Sequence, residues 1–459
     1  MRILLILLTL TPGLATTAGG AEARPNVVFL LADDLGREDC GFMGGTTIRT
    51  PNIDKLAAAG AKLDAFYALP VCSPTRAALM TGRYPMRHGL QVGVVRPWAQ
   101  YGLPLEERTL AQALKAAGYR TGIVGKWHLG HFQPEYLPTR RGFDRQYGHY
   151  NGALDYFTHE RDGGFDWHRD DQICRDEGYA TRLLGREAAR FIAESAGETP
   201  FFLYVPFNAV HSPHQAPPES IAPYGALKGP RKPYAGMLAE LDEAIGTIVG
   251  AVEKAGVRGN TLFLFSSDNG GPAPGRVTDN GKYRAGKGTL YEGGVRVAAF
   301  ATWDGHIPAG STITEPIHMV DWYPTLLNLC GASREQPLPI DGLDVWPTLT
   351  QGKPSPHDAI LLNSTPRTGA VRVGDWKLVV KNGEDNPDAP APAASGEESV
   401  ELFNLRDDPH ETTNLADREP ARRDALRASL NEFARQAVPP RSRPRPRDFV
   451  VPKVWGQFD

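Results

Sequence analysis

The chain has 459 residues, more than one small core usually encloses, so one large domain with a smaller companion is expected. Hydrophobic residues make up 41% and charged residues 22%, an ordinary globular composition. The net charge of −3 offers no electrostatic footprint for nucleic acid, and the short Arg441 to Arg447 run reads most simply as a solvated tail.

Met1 to Ala23 reads as a secretory signal peptide. Arg2 supplies the positive charge, Ile3 to Leu10 the apolar stretch and Ala21-Glu22-Ala23 the cleavage site. That stretch is too short to cross a bilayer, and no later segment has the length of a membrane-spanning helix. No cysteine follows the cleavage site, so a lipoprotein anchor is unsupported. Of the four cysteines, Cys40, Cys72, Cys174 and Cys330, at most one disulfide remains possible if Cys72 is used chemically. That is sparse for a secreted protein and favours a bacterial periplasm or exterior over an animal lysosome. The sequon Asn363-Ser364-Thr365 is too weak a sign to reverse this.

Asn26 to Ala32 is a continuous apolar run ending in Asp33-Asp34, as in a strand buried on both faces of a parallel sheet. Next comes Cys72-Ser73-Pro74-Thr75-Arg76, with Thr81-Gly82-Arg83 just downstream. Thr109 to Gly118 predicts a short helix and Thr121 to Val124 the next strand, which runs into Gly125-Lys126-Trp127-His128-Leu129-Gly130. Phe201 to Val205 repeats the buried-strand pattern and leads to a loop with His211 and His214. Tyr234 to Ala255 is an amphipathic helix closed by Gly256. The strand Thr261 to Phe265 passes through Ser266 and Ser267 to Asp268-Asn269-Gly270-Gly271, and Gly286-Lys287-Gly288 and Glu292-Gly293-Gly294-Val295-Arg296 follow. From about Ser355 the character changes. Ala370 to Val380 reads as two strands around a Gly374-Asp375 turn, Asn382 to Ser399 as a mobile loop, Val400 to Asn404 as a strand and Glu419 to Gln436 as a closing helix. Alternating strands and helices argue for an α/β sandwich on a mostly parallel sheet, divided as 1–23 leader, 24–354 main domain and 355–459 C-terminal α+β subdomain.

In open α/β sheets ligands sit at the carboxyl ends of strands, which is where Asp33, Asp34, Asp268 and Asn269 fall. Three carboxylates and an amide oxygen make a hard-oxygen site for Ca²⁺ or Mg²⁺, whereas histidine or cysteine at Asn269 would have favoured zinc. Taken singly, the Asp pair suits a cap, Asp268-Asn269-Gly270-Gly271 a turn, Lys126 a surface charge and Cys72 a buried thiol. Their joint occurrence favours a site.

The motifs Ala32-Asp33-Asp34-Leu35-Gly36, Cys72 to Arg83, Gly125 to Gly130, Ser267 to Gly271 and Gly286 to Arg296 resemble, in order, those of the formylglycine-dependent sulfatases. Thr75, where that family commonly has serine, is a small departure. The resemblance implies an alkaline-phosphatase-like fold and a sulfuric ester hydrolase whose Cys72 is oxidised to formylglycine (3-oxoalanine) by a maturation enzyme. A geminal diol has a second hydroxyl that can expel sulfate by elimination, which an ordinary serine or thiol lacks. The resemblance also implies one Ca²⁺ held by Asp33, Asp34, Cys72, Asp268 and Asn269. Arg76 would hold the hydrate, Lys126 and Lys287 would contact sulfate oxygens, and His128 and His211 would handle protons, with His214 the competitor for His211. Leu137 to Asp144, Asp155 to Arg161 and Tyr234 to Met237 resemble the arylsulfatase B branch, which acts on N-acetylgalactosamine 4-sulfate. Arg140, Arg141, His159, Glu160 and Arg161 are the sugar-contacting candidates of those segments. The competing readings are a phosphodiester or phosphonate hydrolase of the same superfamily and a non-catalytic glycan-binding protein.

Overall fold

The structure, a computed structural model, describes residues 24–197, 199–383 and 397–458. The expected leader, residues 1–23, and residues 384–396 of the expected loop lie outside them. A ten-stranded sheet forms the centre. Its middle is parallel: Thr261–Ser267, Asn26–Ala32, Phe201–Pro206, Arg120–Lys126 and Arg145–His149 lie side by side in that order. Ala299–Thr302 pairs antiparallel with Thr261–Ser267, and His168–Arg169 pairs antiparallel with Arg145–His149.

Asn26–Ala32 is buried at every position because both faces of the sheet are covered. Alternate residues feed opposite cores. Val27, Phe29 and Leu31 join Leu79, Leu110, Leu114 and Trp322 on one side. Val28, Leu30 and Ala32 join Leu184, Ile192, Leu241 and Ile245 on the other. Phe29 meets Tyr204 and Trp322 edge-on, with centroids 6.1 and 6.4 Å apart, and truncating it to alanine would cost roughly 3–5 kcal/mol. The short helix Leu110–Ala116 has Thr109 as its N-cap in a reciprocal capping box with Gln112. The long helix Arg231–Lys254 starts three residues before the apolar periodicity does, within the first turn, where Pro233 lacks only an N–H that has no helical partner there. The helix packed against it, Ala180–Ser195, was not read from the sequence, although its apolar face is regular.

A second sheet is antiparallel, in the order Ile360–Ser364, Thr368–Val373, Trp376–Lys381, Ser399–Asn404. Gly374, at φ 55°, makes the tight turn between the middle strands. Helix Pro420–Ala434 covers one face through Leu426 and Leu430. The other face, with Leu362, Ala370, Val379 and Phe403, packs on Tyr67, Leu290 and Val295 of the larger body. The sequon asparagine Asn363 is buried in this sheet and donates to Gln91 O at 3.1 Å, so it is no acceptor for a glycan.

The expected solvated run is exposed from Arg443 to Arg447, but it is no free tail. The segment after the last helix is strapped back over the larger body by Val438 N to Met86 O at 2.9 Å, Arg441 N to Gly89 O at 2.8 Å and Trp455 N to Phe165 O at 2.9 Å. Backbone groups of the strap thus find partners that charge composition cannot reveal. Among the described residues no helix is long and apolar enough to cross a membrane.

Candidate active site

The carboxyl ends of the parallel strands converge on one polar, buried cluster. Asp33 and Asp34 follow Asn26–Ala32, Lys126 ends Arg120–Lys126, and Asp268 and Asn269 follow Thr261–Ser267. All five are buried. Cys72 is the first residue of helix Cys72–Thr81, so its side chain stands where backbone N–H groups lack helical partners. Gly82 ends that helix in the left-handed conformation, and Arg83 pairs with buried Glu107 at 3.0 Å, so the downstream Thr81-Gly82-Arg83 element braces the helix. Ser73 bridges the helix to its neighbours, donating to His128 O at 2.9 Å and accepting from Val95 N at 3.0 Å. That role was not read from the sequence.

Backbone geometry aims the groups. Asp34 and His128 sit at φ 61° and 58°, a conformation costly for non-glycine residues and tolerated where surrounding structure enforces it. Gly125, at φ 139°, lies against the Pro206 carbonyl, where any Cβ would collide. Gly270 packs on Gly293 in the same way.

The charges form a connected network. Arg76, fully buried, donates to Asp268 Oδ2 at 2.8 Å, to Asp33 Oδ2 at 3.3 Å and to Lys126 O at 3.0 Å. The Lys126 ammonium pairs with Asp33, and Lys287 Nζ lies 2.7 Å from Asp34 Oδ1. Burial pushes the Asp33 carboxyl up, but Lys126, His211 and Arg76 together outweigh it and hold it below the usual range. Burial likewise opposes ionisation of Asp34, and Lys287 and His211 overcome it. The Cys72 thiol is pushed well up, by burial first and then by Asp268 and Asp33, so the unmodified side chain is a poor nucleophile here. Cys72 Sγ lies 3.6 Å from Asp33 Oδ1.

The histidines differ in kind. His211 Nε2 is 3.6 Å from Asp34 Oδ2, and its Nδ1 donates to Ser212 O at 2.6 Å because a carbonyl can only accept. His128 Nε2 donates to Val95 O at 3.0 Å, which leaves Nδ1 as a bare acceptor, buried and without a partner. Burial, then Lys126 and Arg76, hold His128 well below its ordinary value, so the ring is neutral. His214 stands against the Tyr234 ring, 6.1 Å between centroids, rather than on a carboxylate.

Asp33, Asp34, Cys72 and His211 present ligand atoms all within 4.8 Å of one another. Asn269 Nδ2 donates to Asp34 Oδ1 at 2.7 Å, while its Oδ1 is buried without a partner. A half turn of the amide exchanges the two, and the oxygen would then face the carboxylates, which is favourable only with a cation among them. Asp33 and Asp34, with an Asn269 oxygen so turned, are the hard donors that fit such a cation, while Asp268 lies outside the tight group and is engaged by Arg76 and by Asp34 N. A cavity of ≈ 410 Å³ opens beside the cluster, lined among others by Val71, Gln91, Gly288, Tyr291, Asn363 and Lys381.

The sugar-contacting candidates fare unevenly. Arg141 is buried and donates to the carbonyls of Leu103, Pro104 and Glu107, and His159 is stacked on Trp167 at 4.4 Å. Both tie loops together and are withdrawn as sugar contacts. Glu160 and Arg140 are exposed.

Fold and cluster define an enzyme of the alkaline-phosphatase-like class with a buried acidic and basic centre at its strand ends. The sequence profile of the family named Sulfatase matches residues 25–332. Arylsulfatase J of Mus musculus is 36% identical, over 97% of this chain and 81% of its own. N-acetylgalactosamine-6-sulfatase of Rattus norvegicus is 37% identical, over 76% of this chain and 70% of its own. The crystal structure of Ps i-CgsB in complex with k-i-k-neocarrahexaose superposes with a TM-score of 0.83 at 32% identity, covering 92% of this chain and 95% of that one. The chain belongs to the sulfatase family and is a sulfuric ester hydrolase.

Proposed function

We propose that this chain hydrolyses sulfate esters of sulfated carbohydrates, with N-acetylgalactosamine 4-sulfate or a related galactose-type sugar as substrate. Cys72, matured to formylglycine, supplies the nucleophile as its hydrate. The observation that carries the reading is the cluster of buried Asp33, Asp34, Asp268, Arg76 and Lys126, joined by part-exposed Lys287, around a buried residue 72 whose thiol is pushed up by burial. Asp33, Asp34, Asp268, Asn269 and residue 72 would hold one calcium ion, which supplies Lewis-acid stabilisation of charge on a sulfate oxygen.

The chain's own charges nearly cancel, three carboxylates against Arg76, Lys126 and Lys287. Once another cation neutralises the carboxylates, Lys126 and Lys287 are free to contact a sulfate ester, whose single negative charge is spread over three oxygens. Arg76 orients residue 72 through Asp33 and Asp268. His211, whose Nε2 lies 3.6 Å from Asp34 Oδ2, donates the proton to the departing sugar oxygen from that nitrogen. His128, neutral and with Nδ1 unpartnered, accepts the proton from the residue 72 hydroxyl.

The carbohydrate class is supported by the neocarrahexaose bound to Ps i-CgsB and by the name of the rat relative. That name makes the 6-sulfate of the same sugar the rival to the 4-sulfate carried by the arylsulfatase B-like segments. The leader, a periplasmic or secreted location, a formylglycine-generating partner and the division at about residue 354 belong to the same reading. The test is free-sulfate release from 4- and 6-sulfated N-acetylgalactosamine, 6-sulfated glucosamine, sulfated galactans and a steroid sulfate, with mass analysis of the Cys72 peptide. Preference for the steroid or the glucosamine would defeat the substrate and leave the sulfatase standing. An unmodified Cys72 in fully active enzyme would defeat the mechanism.

A further inference from the structure

The strap after the last helix carries Arg441, Arg443, Arg445 and Arg447, alternating with Ser442, Pro444 and Pro446, and is exposed from Arg443 to Arg447. It runs beside the segment Gly89 to Tyr101. Arg441 N donates to Gly89 O at 2.8 Å, Arg441 Nε to His88 O at 3.1 Å, and Trp98 Nε1 to Arg443 O at 3.3 Å. A cavity of ≈ 270 Å³ lies between them, lined by Trp98, Ala99, Gln100, Tyr101, Arg441 and Arg443 with Pro444 and Pro446. The Arg445 guanidinium lies 5.8 Å from the Trp98 ring centroid and 5.3 Å from that of Phe449, and Arg96 lies 5.7 Å from Trp98 on the same segment. Carboxylate compensation is thin. Arg441 reaches Glu106 only at 4.0 Å, and Arg443 donates to the carbonyls of Pro440 and Ser442. Arg445 and Arg447 make no ion pair among the described residues, although Asp448 follows them in sequence.

The same segment reaches the active site. His128 Nε2 bonds Val95 O, and Val95 N bonds Ser73, the neighbour of Cys72. Val95 and Trp98 are three residues apart, which sets their backbones at most about 11 Å from one another. The arginine-rich groove is therefore tied, through Trp98 and Val95, to the segment that contacts Ser73 and His128.

We propose that the strap and Trp98 form an accessory subsite that holds further anionic groups of a polyanionic glycan whose sulfate ester is being cut. The proposal rests on the sulfatase reading of the site and extends it from one sugar to a chain. Guanidinium groups take carboxylates and sulfates through paired N–H donors, and part-exposed Trp98, with Arg96 and Arg445 over its ring, holds those donors beside apolar surface. A net charge of −3 for the whole chain makes the patch a local feature, so long-range attraction of any polyanion is not its basis. Proline at alternate positions limits the strap's freedom, so the arginines are presented at little ordering cost.

The test uses the full-length mature enzyme and the double variant Arg445→Ser/Arg447→Ser, which removes charge without touching residues near Cys72. For a chondroitin 4-sulfate octasaccharide we expect KM to rise about fivefold at low salt, with kcat unchanged. For 4-nitrophenyl sulfate both constants stay as they were, and for the disaccharide KM changes little. The pair Arg445→Lys/Arg447→Lys should restore most of the octasaccharide KM. Octasaccharide binding, followed by calorimetry on Cys72→Ala protein, reads the same subsite without turnover. A wild-type KM independent of chain length, or an unaltered octasaccharide KM and affinity in the serine variant, would overturn the proposal. Equal affinity for duplex DNA of matched charge would overturn its assignment to a glycan. Loss of all sulfate release with octasaccharide binding intact would instead overturn the sulfatase reading and leave the subsite in place.

Discussion

Two buried charge clusters of similar composition stand within this molecule, and they differ in what they leave unpaired. At the interface with the small sheet, Lys377 Nζ lies 2.9 Å from Glu292 and 2.8 Å from Glu411, all three fully buried. Tyr67 donates to Glu292 at 2.8 Å, Arg296 reaches it at 3.3 Å, and Arg372 donates to Tyr67. Burial raises the Glu292 carboxyl, yet Lys377, Arg296 and Arg372 bring it down to about 2. This cluster is closed upon itself and joins two parts of the fold. At the strand ends, by contrast, Asn269 Oδ1 and His128 Nδ1 lack partners, and a cavity is lined by Val71 and Gly288, the chain neighbours of Cys72 and Lys287. Buried charge paired internally, as where Glu411 Oε1 meets only the Lys377 ammonium, specifies a docking geometry, while buried charge beside unpaired amide and imidazole atoms is prepared for a ligand.

The sharpest way to break this contrast is to remove the nucleophile. Cys72→Ala should abolish sulfate release while leaving the melting temperature close to wild type, because little apolar volume is lost. Retained turnover would sink the mechanism.

Exhaustive chelation comes next. Sulfate release should fall to background, and the melting temperature should drop because a ligand of the native state has been withdrawn. Activity that survives with no metal found by elemental analysis counts against the cation.

His211→Ala should slow sugar sulfates by about 10²–10⁴-fold and activated aryl sulfates far less, since a good leaving group departs without a proton. Equal loss on both would make His211 a sulfate ligand. The same asymmetry in His214→Ala would transfer the role.

In the closed cluster, Lys377→Met leaves two carboxylates facing each other in the interior and should cost roughly 3–5 kcal/mol of stability. Denaturant titration measures it, and kcat of the folded fraction at low temperature should not change. A stability loss below the error of the titration would show that water enters this interface.

The smallest effect concerns pH. His357 Nε2 lies 2.8 Å from Asp321 Oδ1. Burial opposes the His357 charge, but Asp321 prevails and raises its folded value above the ordinary 6.5. The pair's stabilisation is therefore complete below the unfolded value and fades as pH rises through the folded one. Wild type minus His357→Gln melting temperature should shrink on going from pH 6 to pH 9, and a difference that grows would reverse the assignment.

Much of this was legible in the sequence because it is written in contiguous residues. Continuous apolar runs gave the central strands, since a strand covered on both faces has no polar position. The residues immediately after those runs gave Asp33, Asp34, Asp268 and Asn269, because parallel strands bring their carboxyl ends together. Helix Ala180–Ser195 was not among the expected elements, although its amphipathic face is regular and legible in the sequence. Arg141 and His159 were read as sugar contacts because burial of a charged or polar side chain depends on carbonyls far along the chain.

The sequence by itself determined the sheet, the family motifs and the set of residues that meet at the strand ends, because local periodicity and short spacings survive without knowledge of the fold. Tertiary structure alone decided which histidine faces a carboxylate, which nitrogen of His128 is bare and where the arginine strap lies. Those facts are set by contacts such as Val95 with His128 and Arg441 with Gly89, between segments far apart in the chain, and no local pattern of residues encodes a partner at that distance.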